Sequence, residues 1–266
     1  MTGAPLQNAN DIEALKFFIA AGVGETIPES PAGFAGAVLE NERAFAAAEA
    51  SAPALADPAE LTPVKEAAAA AAKLAEAAQS IEELKAAIES FGLCPSLSRT
   101  ASHAVFGAGA ARPKLLIITE APMRDEDLSG AALSGAGGET LRKIIEALGR
   151  SLDKDAHVMP ALPWRPAGGR PPTNEEAEIL RPFARRFVEL LSPEMIMTMG
   201  AAPLLVLFGR TEALAGQHGK WLRFAETPLM PVHSLAMIMS SAEAKRAAWA
   251  DMQLVLNPPG ESNVSE

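Results

Sequence analysis

The sequence predicts an α/β fold, three layers deep, with a short central parallel sheet between helices. An alanine-rich, acidic region precedes it, helical in places and disordered in others. Three observations carry this prediction. Short apolar runs recur at 114–119, 157–162, 195–199 and 228–232, and each is too short for a core helix. Helical patterns separate them. Strands that read as continuous apolar runs are those covered on both faces, which is the signature of a parallel sheet.

The composition changes near residue 90. The 266-residue chain has a formal net charge of −10, and residues 1–100 hold 14 acidic against 6 basic side chains. The remainder holds 19 against 17, so the acidity belongs mainly to the N-terminal region. The sequence thus divides into an N-terminal extension at 1–83, a globular domain at 84–257 and a disordered tail at 258–266. A single cysteine, Cys94, excludes a disulfide framework and fits a reducing, cytoplasmic compartment. No apolar run approaches the roughly 18 residues of a membrane span, and the first residues lack the pattern of a secretory signal.

The elements follow in order. Apolar residues Ile12, Leu15, Phe18 and Ile19 predict a helix over 11–22, and 25–59 reads as disordered. Residues 60–78 are strong helix formers, but an alanine face buries little, so this helix is expected to face solvent. Ser80-Ile-Glu-Glu83 is a capping box that opens a helix carrying Ile81, Leu84 and Ile88. The region as a whole reads as a tether or as an arm for an unidentified protein partner.

Beyond it, 114–119 is the first strand. An amphipathic helix at 139–148 follows, then the second strand at 157–162. Thr173-Asn-Glu-Glu176 caps a helix over Asn174–Leu191 with Leu180, Phe183 and Phe187 inward. Met195–Met199 is the third strand, running into Gly200 and a helix through Phe208. The fourth is 228–232, before a last helix.

In such folds the site lies outside the carboxyl ends of the strands. Candidates are therefore the segments just after Thr119, Leu162, Met199 and Val232, whose polar residues include Glu120 and Asp125-Glu-Asp127 after the first strand, Trp164 to Arg170 after the second, and His233-Ser234 after the fourth. Arg165, Arg170, Arg181, Arg185 and Arg186 could grip phosphates, or simply form a solvated face. Ser134-Gly-Ala-Gly-Gly138 could cradle an anion, although it fits no nucleotide motif. No histidine has neighbours at metal-ligand spacing, so no metal is assigned.

The ordered set resembles the iron–sulfur uracil-DNA glycosylases of the family 4 type, over about residues 84–256. Cys94-Pro95 with Ala104-Val-Phe-Gly107 resembles the family's Cys-Pro…Val-Phe-Gly segment. Thr119-Glu-Ala-Pro-Met123 resembles Gly-Glu-Ala-Pro-Gly, and Trp164-Arg-Pro-Ala-Gly-Gly-Arg170 resembles Cys/Trp-Arg-Pro-Pro-Gly-Asn-Arg. Glu175-Glu176 with Leu180-Arg-Pro-Phe183, Thr198-Met-Gly200 and His233 follow in the family's order.

The resemblance implies hydrolysis of the N-glycosidic bond of uracil in DNA, with the base flipped into a pocket. Glu120, Glu126 and His233 fall where the family carries catalytic groups. There a carboxylate stabilises the cationic sugar or positions water, and a histidine donates to the uracil oxygen. Ala121, Pro122, Leu133 and Pro160 fall in the substrate pocket, and Arg165 and Arg170 on the DNA side. DNA is the implied partner, and the protein is expected to be a monomer.

Departures stand beside the matches, among them Thr119 and Met123 for the motif's two glycines and Ser234 for the proline after the histidine. The family's stacking phenylalanine is Leu133 here, and its uracil-reading asparagine is Pro160. The family holds a 4Fe-4S cluster with four cysteines; here those positions are Phe91, Cys94, Trp164 and Leu180. A cluster needs thiolates, so none is expected. The sequence therefore supports a diverged glycosylase. An inactive relative that binds DNA or protein, and an α/β module for another small molecule, both stay open.

Overall fold

The computed structural model describes residues 61–209 and 219–256. The helix expected at 11–22, the disorder expected at 25–59 and the tail at 258–266 lie outside the described residues. In chain order the elements are α1 (Leu61–Ala77), α2 (Ile81–Glu89), α3 (Pro95–Ser98), β1 (Ala108–Gly109), β2 (Leu115–Thr119), α4 (Arg124–Ser129), α5 (Gly135–Ala147) and β3 (Ala156–Pro160). A 3-10 turn (Ala167–Gly169) leads to α6 (Asn174–Leu191), β4 (Met195–Met199), α7 (Ala201–Phe208), β5 (Leu222–Phe224), β6 (Thr227–Val232), α8 (Leu235–Ser240) and α9 (Ala242–Leu256).

The six strands form one sheet in the order β1-β3-β2-β4-β6-β5. The four inner strands are parallel and correspond to the four predicted runs. The edge strands β1 and β5 pair antiparallel. At two and three residues they carry no periodic pattern for sequence reading to find.

Alternation along the strands builds two cores. Leu116, Ile118 and Ile196 face α1, α2, α6 and α7, whereas Leu115, Ile117, Met195 and Met197 face α5 and α9. This is the three-layer arrangement, with each inner strand buried on both sides.

The expectation that the alanine helix faces solvent is overturned. Ala67, Ala71, Ala75 and Ala78 recur every three or four residues and are all buried. The first three form a stripe on α1, continued by Ala78 just after it, and α1 packs against α6. The physical reason is size: alanine adds little apolar area per residue but lets two backbones approach closely. Arg186 of α6 then fastens the end of α1, donating from Nε and Nη2 to the Ala78 carbonyl at 3.1 and 2.9 Å. Ala71→Leu should therefore cost about 1–3 kcal/mol by overpacking, while Ala72→Leu on the exposed face should be near neutral. Urea unfolding of the two variants checks this; equal stability would mean the stripe is not closely packed.

Candidate active site

The chain runs from β2 out to β3 on one side and returns to β4 on the other. The crevice between the carboxyl ends of β2 and β4 is thus a topological switch point, where ligands bind in open α/β sheets. Glu120 immediately follows β2, and Gly200 immediately follows β4. Val232 ends β6 opposite Met199, and its carbonyl accepts from the Gly200 amide at 3.0 Å. His233 is the next residue. Glu120, Gly200 and His233 therefore stand side by side along one edge of the sheet.

Gly200 has a φ of +89°, a region open to glycine and strained for other residues. It also has no room for a side chain. A Cβ there would lie 2.5 Å from the Glu120 carboxyl carbon and from Oε1. That close approach lets Glu120 Oε1 accept from the Ala201 amide, at 3.3 Å, at the start of α7. Burial pushes the Glu120 carboxyl above its ordinary value, while the Ala201 and Ala202 amides pull it down. Burial lowers the His233 pKa, which favours the neutral imidazole at neutral pH.

The other acidic candidates are held against the backbone. Both oxygens of buried Glu126 accept backbone amides, from Met123 and Leu133, each at 2.8 Å. Asp127 accepts from the Ser102 amide at 2.9 Å. The Asp125 carboxylate packs against Gly135 at the start of α5. The glycines expected to cradle an anion are instead the first turn of α5. Gly137 packs on Met123 and Gly138 on the Leu133 carbonyl, so this helix terminus is filled by the chain's own groups.

Leu133 is buried in the core beneath α5, with a φ of 61°. Pro160 ends β3 in register with Thr119. With Phe106, Pro163, Phe183 and Phe187 it also lines an apolar cavity of about 20 Å³. That is room for about one water, far short of a base. Ala121 packs against the core beside α6. The Pro122 carbonyl accepts from Arg165 Nη1 at 2.8 Å.

The arginines are also engaged within the fold. Arg170 forms a bidentate pair with Glu176, at 2.6 and 2.8 Å. Arg181 donates to the Val206 carbonyl at 3.0 Å, and Arg185 lies over the Phe224 ring. Their clustering in the sequence allows a phosphate grip or a solvated face, but Arg170 pairs six residues along the chain and Arg181 and Arg185 find partners in α7 and β5. The sequence marks the segment after Met199 as a candidate but not the roles of Gly200 and the α7 amides; a glycine directly after a predicted parallel strand was the available signal.

The sequence also matches a known family and several relatives. The family model for the uracil DNA glycosylase superfamily matches residues 106–253. The chain belongs to that superfamily. It is 31% identical over 122 residues to a type-4 uracil-DNA glycosylase from Archaeoglobus fulgidus, covering 46% of this chain and 60% of that relative. A type-4 uracil-DNA glycosylase from Pyrobaculum aerophilum is 31% identical over 144 residues, covering 53% of this chain and 72% of the relative. One from Saccharolobus solfataricus is 30% identical over 119 residues, covering 44% and 55%. Among the described residues no helix is long and apolar enough to cross a membrane.

Within this superfamily domain, the four positions where the resemblance implies cluster ligands do not fit an iron–sulfur cluster. Phe91, Trp164 and Leu180 offer no donor, and burial pushes the Cys94 thiol up to about 11, against the thiolate form a cluster needs. Among the described residues no three His, Cys, Asp or Glu side chains gather as a metal site.

His157, on β3, gives the domain an expected pH dependence. Its Nδ1 lies 3.0 Å from the Ala110 carbonyl and its Nε2 is buried. Burial lowers its pKa, and nearby Lys85 adds to this. Below about pH 6.5 the unfolded chain binds a proton that the folded ring resists, so stability falls as pH drops below that value. His233 acts in the same direction. Asp251, pushed up to about 6 by burial, acts in the opposite one, because the folded state takes up its proton first. The contribution of His157 is the difference between wild type and His157→Gln in urea unfolding at pH 7.5 and 5.5. The variant should lose less stability; an equal loss would remove His157 as the cause.

Proposed function

We propose that this protein is a DNA glycosylase that hydrolyses the N-glycosidic bond of a uracil-type base flipped out of DNA. The observation that carries this reading is the shared edge of the sheet at which Glu120 and His233 flank Gly200. The relatives named type-4 uracil-DNA glycosylase support the substrate class.

In the reaction the C1′–N1 bond breaks and its electron pair leaves with the base. A water oxygen then bonds to C1′ and loses a proton. The Glu120 carboxylate stabilises the cationic sugar or orients that water. A neutral His233 donates a hydrogen bond to the base oxygen on which negative charge develops. Specificity for uracil's polar edge has no amide at Pro160 to supply it, so discrimination between bases is expected to be weak.

Pro160 also favours a second reading, an inactive relative that binds DNA without turnover. The test is a base-release assay on single-stranded and mismatched duplex DNA containing uracil, hypoxanthine or xanthine. Release that falls in His233→Ala supports the glycosylase. DNA binding with no release from any substrate supports the second reading and overturns the first.

A further inference from the structure

We infer that Phe91, Cys94, Trp164 and Leu180 form a metal-free apolar clamp, which fastens the 164–170 loop to α6 and so holds the turn that carries Glu120. These residues come from three separate segments: the connection between α2 and α3, which holds Phe91 and Cys94, the loop after β3, and the middle of α6. All four are buried, between 1% and 5% exposed, and belong to one hydrophobic cluster. Phe91 packs edge-on against Phe183 with ring centroids 5.1 Å apart.

The chemistry of these side chains determines what the place can do. Three of the four have no donor atom for iron, and Trp164 and Phe91 are among the largest apolar side chains. Packed interiors leave few voids, and these rings fill the junction between α2, α6 and the loop. A cluster joins separated segments by ligand bonds. Here the same segments are joined by burial of apolar surface, which needs no metal and no particular redox state.

The clamp is coupled to the site by two further contacts. Trp164 anchors the start of the loop in the core. At its far end Arg170 pairs with Glu176 on the first turn of α6, at 2.6 and 2.8 Å. Arg165, fixed between these anchors, donates to the Pro122 carbonyl at 2.8 Å, two residues beyond Glu120. Gly169, with a φ of +72°, lies against the Arg165 guanidinium, where a Cβ would come within 2.5 Å of Nη2. The inference does not depend on the protein turning over DNA.

The test has two arms. The full chain, purified anaerobically from iron-replete cells, is assayed for iron, acid-labile sulfide and a visible charge-transfer band. The expected result is trace iron and sulfide, unchanged in Cys94→Ala, with a Tm unaffected by chelator. Stoichiometric iron and sulfide that disappear in Cys94→Ala would overturn the inference. In the second arm, amide hydrogen exchange is followed across residues 164–170. Trp164→Ala should speed exchange there by about tenfold or more, and Trp164→Phe should restore most of the protection. Unchanged exchange in Trp164→Ala would overturn the clamp. If that variant does not fold, Trp164→Leu gives the same comparison with a milder loss of volume.

Discussion

Glu120→Gln is expected to slow base release by about 10²–10⁴-fold, the usual range for a positioned acid or base, with little loss of stability. The side chain has two functions that this substitution separates. Its Oε1 accepts from the Ala201 amide, and a glutamine carbonyl oxygen can still do so. What glutamine cannot supply is negative charge beside a cationic sugar, or a base for the attacking water. The fall should appear in kcat, because the interaction develops only in the transition state. Gly200→Ala tests the same group from its other side. The added methyl would lie 2.5 Å from the Glu120 carboxyl carbon, so the carboxylate must shift. The expected result is a comparable loss of rate plus about 1–3 kcal/mol of backbone strain at φ +89°. Full activity in Glu120→Gln would reduce Glu120 to a cap on α7.

The sheet was legible in the sequence because inner parallel strands are apolar on both faces and need no long-range information to recognise. The crevice was legible for the same reason, since it follows from where those strands end. What stayed hidden depended on partners far away in the chain. Alanines at 67, 71, 75 and 78 read as weakly hydrophobic, and only the closeness of α6 turns their small size into burial. Arg181, Arg185 and Arg186 read as a charged helix face. Their partners are the Val206 carbonyl, the Phe224 ring and the Ala78 carbonyl, and no local pattern announces a backbone carbonyl as a partner. The resemblance places Leu133 in the substrate pocket; in the structure it is buried in the core with a φ of 61°, a backbone conformation that no local pattern announces.

Glu126 is the sharpest case, because its position in a resemblance and its position in space point to different functions. Glu126→Ala is expected to destabilise the domain by about 3 kcal/mol, or more if the site cannot relax. The residue is 8% exposed, and its carboxylate accepts two backbone amides, one through each oxygen. Hydrogen bonds to a charged acceptor are worth about 1.5–3 kcal/mol each. One of them holds Leu133 at φ 61°, a conformation that costs a branched side chain about 1–3 kcal/mol and persists only where the surroundings enforce it. Glutamine at this position keeps one acceptor but turns an NH2 group toward the second amide, so Glu126→Gln should recover only part of the loss. Urea unfolding with an unchanged m-value would assign the effect to stability. The opposite pattern, an Ala variant as stable as wild type with base release abolished, would return Glu126 to the reacting centre. With both amide bonds engaged on its own loop, the expected outcome is a folding defect. Any fall in base release should then follow the folded fraction, unlike the loss expected at Glu120.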